Sequence, residues 1–367
     1  MKNATSFDRR SFLKSAGAGF ISALGLRSRD ALASTQMVFA SAFKSQDGAY
    51  GVMLFNERYD EIVRFALPDR GHDIAFDPVG TRGVAFARRP GNFAFAFDLD
   101  NSRQPVMFTS PSNRHFYGHG VFSRDGKLLY TAENNFEDAV GSIGVYDATD
   151  RFTRVGEMPS HGTGPHQISF HPEKEILIVA NGGIETHPDF GRAKLNIPVM
   201  KPSLVFLDAD TGQLIEKHQL PPELHKLSIR HMDVTDRGRV VFGCQFEGSK
   251  SEHPNLVGEC SLGEAISLWK TDQADLNDFS NYAGSVAINE RENLVAVTMP
   301  KGNRVACFHL QTGKLLKTYR QRESFGIART ASSFLTTSVQ GEVSHLAGGE
   351  TRNFRDLAFD NHLAGLN

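Results

Sequence analysis

Three histidines recur along this chain at a constant spacing, and each precedes a short apolar segment. His72, His119 and His166 are separated by 47 and 47 residues. A constant period of this size is typical of repeat proteins, in which every repeat places the same residue at the same structural position. Three imidazoles brought together in this way suit a transition metal that keeps open coordination positions. Iron, copper and zinc are the candidate metals.

The segments around these histidines predict strands rather than helices. Short apolar or alternating runs separated by Gly, Asn and Asp dominate the chain, and one repeat predicts four strands. We count seven repeats, of which the first, residues 37–67, supplies only three strands. The segment from Arg355 to Asp360 repeats the pattern from His72 to Asp77. We therefore predict an all-β, seven-bladed β-propeller whose C-terminal strand completes the first blade and closes the ring.

Alignment of the first strands on His72 places one residue of each repeat at one mouth of the central channel. Besides the three histidines, the alignment places Arg230, Arg355, Gly284 and Phe325 there. Arginines beside a metal favour a ligand with an anionic part: a metal carboxylate complex, a metal-bound oxyanion, or a plain carboxylate or phosphate. We expect Arg230 and Arg355 to neutralise that anionic part.

Two long insertions separate the second and third strands of their blades, residues 181–202 and 247–263. Loops of this length in a compact fold are usually functional or disordered, and we expect both to hang over the channel mouth, with the first as a lid. Further side chains near the ends of second strands and in the insertion are predicted to bind the ligand or complete a metal shell: Glu133, Asn181, Gln245, Glu185, His187 and Asp189.

The residue pattern leaves alternatives open for the histidines. A Gly-His pair before an inner strand also occurs in ordinary repeat propellers, where the ring forms structural hydrogen bonds between blades. The chain contains no Gly-x-Ser-x-Gly, no His-Glu-x-x-His and no phosphate-binding glycine loop, so catalytic signatures are weak. Three functional hypotheses follow: a metal-binding or anion-binding protein, a lactonase-type hydrolase that uses the same channel mouth, and a protein-interaction scaffold.

The N-terminus has the features of an export signal. Arg9 and Arg10 begin a twin-arginine motif, a weakly apolar stretch follows at residues 15–26, and residues 31–33 form a small-residue cleavage site. We predict that residues 1–33 are a signal peptide and that residues 34–367 form one domain, exported folded to the periplasm.

Charge and hydropathy of the mature chain exclude two classes of partner. Removal of the six basic and two acidic residues of the leader leaves 34 basic and 40 acidic residues, a net charge of −6. This balance argues against a nucleic-acid partner, and no run of eighteen apolar residues predicts a membrane span. In an oxidising compartment, Cys244 and Cys260 either form a disulfide or remain buried thiols, and both alternatives stay open.

The leader, the repeats and the segment from Asn181 to Asp189 (NGGIETHPD) together resemble a family of exported bacterial propellers catalogued as a domain of unknown function. The resemblance covers essentially the whole mature chain. Members are often encoded beside imelysin-type, iron-regulated periplasmic proteins, which implies an accessory role in the acquisition of iron or another metal, with imelysin-like proteins as partners. A looser similarity, through residues 164–166, is to lactonase-type and quinoprotein-like propellers. The resemblance brings no established catalytic residues.

Overall fold

Apolar segments alternate with turns along the chain, and the computed structural model shows how they assemble into seven antiparallel sheets. It describes residues 37–99 and 103–366, so the predicted signal peptide, residues 1–33, lies outside the described residues. The sheets are arranged as the blades of a propeller, as the sequence predicted. No helix in these two ranges is long and apolar enough to cross a membrane.

Blade one combines the two ends of the described chain: β1 (Val38–Ser45), β2 (Tyr50–Asn56), β3 (Glu61–Leu67), β28 (Leu357–Phe359) and β29 (Ala364–Leu366). Blades two and three are each formed by four consecutive strands, given from the channel outwards: β4 (Gly71–Phe76), β5 (Arg82–Ala87), β6 (Phe93–Asp98) and β7 (Val106–Thr109), then β8 (Arg114–Phe122), β9 (Leu128–Asn135), β10 (Val140–Asp147) and β11 (Thr153–Pro159).

Blades four and five have the same order: β12 (Pro165–Phe170), β13 (Ile176–Asn181), β14 (Ser203–Asp208) and β15 (Leu214–Gln219), then β16 (Leu227–Val234), β17 (Val240–Phe246), β18 (Val257–Cys260) and β19 (Ser267–Leu268). Blades six and seven complete the ring: β20 (Ser285–Asn289), β21 (Leu294–Met299), β22 (Arg304–His309) and β23 (Leu315–Arg320), then β24 (Ser324–Arg329), β25 (Phe334–Ser338), β26 (Glu342–His345) and β27 (Thr351–Asn353).

Within residues 37–99 and 103–366, helical structure is confined to the connections between strands. The one α-helix of these ranges, α1 (Gln273–Phe279), lies between β19 and β20. Short 3₁₀ turns occur at Pro188–Phe190, Ile197–Val199, Pro222–Leu224 and Pro300–Gly302. The first two turns lie in the 181–202 insertion. The predicted second insertion is shorter than residues 247–263, because β18 is the third strand of blade five and begins at Val257.

Burial follows the radial position of each strand. The second strands are apolar and buried along their length, as in β13, because neighbouring blades cover both of their faces. The outermost strands alternate between exposed and half-buried residues, as in β15. The inner strands β4, β8, β12, β16, β20, β24 and β29 contact one another in a closed circuit around the channel. Side chains far apart in sequence therefore meet on the propeller axis.

The ring closes through the C-terminal segment, which confirms the predicted closure. Within blade one, Phe43 of β1 lies opposite Phe359 of β28, and Ala40 lies opposite Ala364 of β29. The register differs from the prediction, since Arg355 precedes β28 and the strand beside the channel begins after His362. All three cysteines, Cys244, Cys260 and Cys307, are buried free thiols, and the Cys244–Cys260 disulfide does not form in this structure.

We expect the substitution Phe359→Ala to lower the free energy of unfolding by about 3–5 kcal/mol, the usual range for a buried phenylalanine. Phe359 is fully buried and packs against Phe55 and Phe354, where the closing strand meets blade one. Urea unfolding followed by tryptophan fluorescence measures the change. The control Leu316→Ala removes a side chain that is half-exposed on β23 and should change stability by less than about 0.5 kcal/mol. Equal effects of the two substitutions would contradict the proposed importance of closure.

Candidate functional site

Five histidines, not three, converge on the axis of the propeller. They come from β4, β8, β12, β16 and the segment between β28 and β29: His72, His119, His166, His231 and His362. Their ring centres lie 4.5–6.0 Å apart in eight of the ten pairs. His119 contacts all four other rings, so it is the centre of what we call the histidine cluster.

Irregular strand pairing aims the histidines at the axis. Four of the inner strands shift register against their second strands next to a histidine: β4, β8, β12 and β16. β-bulges of this kind re-aim side chains and are frequent beside functional sites. Gly118 has a φ of 104° and lies directly against the His72 ring, so a larger residue would both strain the backbone and displace that ring. The local sequence Gly118-His119 is therefore required for the close approach of two imidazoles.

Each histidine of the cluster has a buried ring nitrogen without a hydrogen-bond partner among the described residues. These atoms are His72 Nδ1, His119 Nε2, His166 Nδ1, His231 Nδ1 and His362 Nε2. A buried polar atom left unpaired typically costs about 1–3 kcal/mol. Native structures therefore leave few such atoms, and five in one cluster call for an explanation such as a bound ion.

Two of the rings are oriented by hydrogen bonds on their other nitrogen. Asp73 accepts a hydrogen bond from His119 Nδ1 at 2.8 Å, and His362 Nδ1 lies 3.0 Å from the Ser285 hydroxyl. Burial acts to raise the pKa of Asp73, but the His119 ring lowers it below its usual value, so the carboxylate is ionised. A carboxylate behind an imidazole fixes the ring orientation and increases its basicity, as in many metal sites. In this arrangement the Nε2 lone pair of His119 points into the cluster.

A group of cationic side chains lies on the side of the cluster where the insertions are. Arg88 and Arg89 follow β5, Arg230 lies in β16 next to His231, and Arg192 belongs to the 181–202 insertion. We call these four residues the arginine group. Burial and the neighbouring positive charges lower the pKa of all four, and that of Arg89 falls to about 10. The mouth of the channel thus concentrates positive charge above the imidazoles.

Asp360 connects the arginine group to the histidine cluster. Its carboxylate accepts a hydrogen bond from Arg88 Nη1 at 3.1 Å, pairs with Arg70 Nε, and lies 3.6 Å from His72 Nδ1. Asp360 is buried and precedes His362 by two residues, so the closing segment supplies both a ligand candidate and a counter-charge.

The predicted site residues divide into those that meet on the axis and those that do not. His72, His119 and His166 come together, and Arg230 lies beside them. Arg355, which was predicted at the channel mouth, is exposed. The residue of the closing segment that lies on the axis is His362, seven residues later in the chain. Glu133 lies inside blade three, where it accepts hydrogen bonds from Arg154 and Tyr146 at 2.8 Å, because β9 turns this side chain towards the outer strand.

Most of the remaining predicted residues have other partners. Asn181 is buried and donates a hydrogen bond to the Ser160 carbonyl at 3.0 Å. Gln245 lies near the end of β17 and its backbone pairs with that of Tyr282, but its side-chain Nε2 is buried without a hydrogen-bond partner among the described residues. In the first insertion, the Glu185 amide donates to Asn196 and the Asp189 amide donates to His187. The His187 ring meets Phe136 edge to face, and Asp189 is exposed. These residues hold the blade ends and the insertion in place.

Sequence reasoning missed His231, His362 and the arginines at 88, 89 and 192. His231 does not fit the 47-residue period, because the 181–202 insertion lengthens blade four, and it follows Arg230, the residue that aligns with His72. His362 belongs to the short closing segment, where no Gly-His pair precedes an inner strand. Arg88 and Arg89 form a pair of charges of the kind usually exposed in a loop, whereas the structure places them partly buried over the channel. The signal that could have found two of them is the adjacent pair Arg88-Arg89 directly after a second strand.

Comparisons with known proteins agree with the fold. A family model described as "Protein of unknown function (DUF1513)" matches residues 65–366. The chain belongs to the DUF1513 family. Comparison with curated proteins found no match. The family assignment thus carries no activity.

Two solved structures share the architecture of this DUF1513 protein. A chain of the Kuenenia stuttgartiensis hydrazine synthase structure has a TM-score of 0.62 and 15% identity, over 84% of this chain and 95% of that one. A chain of the structure titled "Crystal Structure of Mitotic Checkpoint Complex" has a TM-score of 0.55 and 11% identity, over 81% and 76%. At these identities the likeness concerns the fold alone.

Burial keeps four imidazoles of the histidine cluster neutral in this DUF1513 protein. It lowers the pKa of His72, His166 and His231 well below the usual value of 6.5, and that of His362 to about 3, and the neighbouring histidines act in the same direction. A neutral imidazole offers a lone pair to a metal without competition from a proton. The cluster is therefore chemically ready to bind a metal ion at neutral pH.

We expect the metal-free protein to lose stability in acid because of these neutral histidines. The unfolded chain takes up protons below pH 6.5 and folded His362 does so only near pH 3, so stability is complete above pH 6.5 and falls as the pH falls between these values. His362 alone should contribute a loss of about 2 kcal/mol at pH 5.

Urea midpoints between pH 8 and pH 4 in the presence of a chelator test this expectation. His362→Gln should flatten the acid decline, whereas His225→Gln, in the Pro222–Leu224 turn region, should leave it unchanged. An identical pH profile for the wild type and His362→Gln would show that His362 is not held neutral in the fold.

Proposed function

We propose that this protein binds one transition-metal ion in the histidine cluster and serves as an exported accessory factor in metal acquisition. The observation that supports the proposal most strongly is the convergence of five buried imidazoles, each with an unpaired ring nitrogen. Purely structural histidines would be expected to direct these nitrogens to hydrogen-bond acceptors or donors. A metal ion would instead compensate several of them at once.

The spacing of the rings fits coordination to a common ion. Two sets of three histidines have ligand atoms within 4.8 Å of one another: His72, His119 and His362, and His119, His166 and His231. Imidazoles that share a metal at about 2.0–2.1 Å have ring centres roughly 5 Å apart. The ring centres lie 4.6–5.0 Å apart in the first set and 4.5–5.7 Å apart in the second.

The shared residue limits the number of bound ions. His119 belongs to both sets, and its Nδ1 is bonded to Asp73, so only Nε2 is free to coordinate. One nitrogen lone pair binds one metal ion, so the two sets are alternatives and not two independent sites. The all-nitrogen environment suits iron, copper or zinc better than calcium or magnesium, which prefer oxygen ligands.

We expect purified protein to bind close to one divalent metal ion per chain, and His119→Gln to remove most of this binding. The measurements are elemental analysis and titration with Co²⁺, Zn²⁺ and Cu²⁺. Asp73→Asn should weaken binding about 10–100-fold, because it removes the carboxylate behind His119.

His187→Ala is the matched control for the metal titration, since His187 was a sequence candidate that lies in the insertion and outside the cluster. It should bind metal as the wild type does. Negligible metal in the wild type, or loss of binding in His187→Ala with retention in His119→Gln, would refute the proposed site.

Export is supported by the twin-arginine motif and by the resemblance to exported propellers beside imelysin-type proteins. We expect the double substitution Arg9→Lys and Arg10→Lys to retain the precursor in the cytoplasm, because the motif requires two arginines. Cell fractionation and mass spectrometry of the mature N-terminus, expected at Ser34, measure the outcome. The control Arg27→Lys and Arg29→Lys keeps the motif and should be exported. Equal distribution of both variants would contradict this route.

A further inference from the structure

The arginine group carries more positive charge than its protein partners neutralise. Two carboxylates act on these residues, Asp360 and Glu247. Asp360 is already paired with Arg70 and Arg88, and Glu247 is paired with Lys194 of the insertion. The Glu247 carboxylate thus joins the two insertions. Because both carboxylates already have partners, neither Asp360 nor Glu247 pairs with Arg89, Arg192 or Arg230.

Of the three partly buried guanidinium groups in the arginine group, two have unused donors. Arg89 and Arg230 are partly buried, come from different blades, and make no hydrogen bond or ion pair with any described residue. Arg230 Nε is buried without an acceptor. The rigid fork of an arginine side chain matches the oxygens of a carboxylate or phosphate, and such pairs are bidentate in favourable cases. An oxyanion, such as a carboxylate or a phosphate, is therefore the kind of ligand that these unused donors fit.

The position of Arg230 relates this anion to the metal. Arg230 directly precedes His231 in β16, and its Nε is buried. Burial lowers the pKa of His166 most and the Arg230 charge comes next, whereas for His72 and His231 the neighbouring histidines act more strongly than Arg230 does. Arg88 reaches His72 through Asp360, with contacts of 3.1 and 3.6 Å. A bare divalent cation in the cluster would be repelled by these charges, and an oxyanion between them would remove the repulsion.

We propose that the arginine group binds a small oxyanion with at least two negative charges, a polycarboxylate or a phosphate, which bridges Arg89 and Arg230 to the metal in the histidine cluster. The inference rests on the proposed metal site, because the metal supplies the other end of the bridge. The protein would then recognise a metal–oxyanion complex rather than a free ion. By linkage, the oxyanion raises the affinity for the metal by the same factor as the metal raises the affinity for the oxyanion.

Calorimetric titration of the wild-type protein with citrate, malonate, phosphate or chloride, with and without Zn²⁺, tests the proposal. We expect one of the three oxyanions to bind at least 5-fold more tightly to the zinc-loaded protein, and chloride to show no such preference. The double variant Arg89→Gln and Arg230→Gln should bind the oxyanion at least 10-fold more weakly and lose the coupling, while it still binds zinc.

The matched control Arg291→Gln and Arg322→Gln removes two charges from exposed positions and should behave as the wild type does. Preference for citrate and malonate would identify a carboxylate ligand, and preference for phosphate a phosphate ligand. Equal oxyanion affinity with and without zinc, in a protein that binds zinc, would overturn the bridge and leave the metal site intact. Absence of zinc binding in the wild type would instead refute the metal site. If the double variant fails to unfold cooperatively, Arg89→Gln alone, with a weaker loss of oxyanion affinity, decides the question.

Discussion

The pairing of β1 with β28 and β29 is the contact on which the rest of the structure depends. It joins residues near the two ends of the described chain and removes the free edge that blade one would otherwise present. The same segment carries Asp360 and His362 to the axis. Closure of the ring and completion of the candidate site are therefore one event in this fold, and a chain without its last strand would lack both.

The architecture was predictable because it follows from local patterns. The period of 47 residues, the alternation of apolar runs with turns, and the partial first blade each indicate a closed propeller of seven blades. Three of the five clustered histidines follow from the same period. The directions of the Glu133 and Asn181 side chains were not predictable in this way. The face of a second strand on which a residue lies depends on the strand register within its blade.

The two missed histidines show where the limit lies. His231 reaches the axis because β16 contains a bulge at Arg230, and a bulge shifts the facing of every later residue in the strand. His362 lies between β28 and β29, which pair with β1 separately. In the other blades the inner strand is one continuous segment, so their repeat does not predict the position of His362. Local irregularities, which are the least visible features of a sequence, decide the composition of this site.

The electrostatic arrangement of the channel is asymmetric, and this asymmetry bears on both proposals. At the end opposite the arginine group, a cavity of about 330 Å³ is lined by three carboxylates, Asp233, Asp236 and Glu290, and by one arginine, Arg329. Burial raises the pKa of Asp233, although the Ile288 amide donates a hydrogen bond to its carboxylate.

Neutral imidazoles thus lie between an acidic end and a basic end of one channel. Fields of this kind concentrate cations at the acidic end and anions at the basic end. A free cation that approaches from the insertion side meets the arginine group first and is repelled by it. An anionic metal complex meets the same group and is attracted, so on this side the charge of the ligand shell, more than the identity of the metal, decides what reaches the histidines.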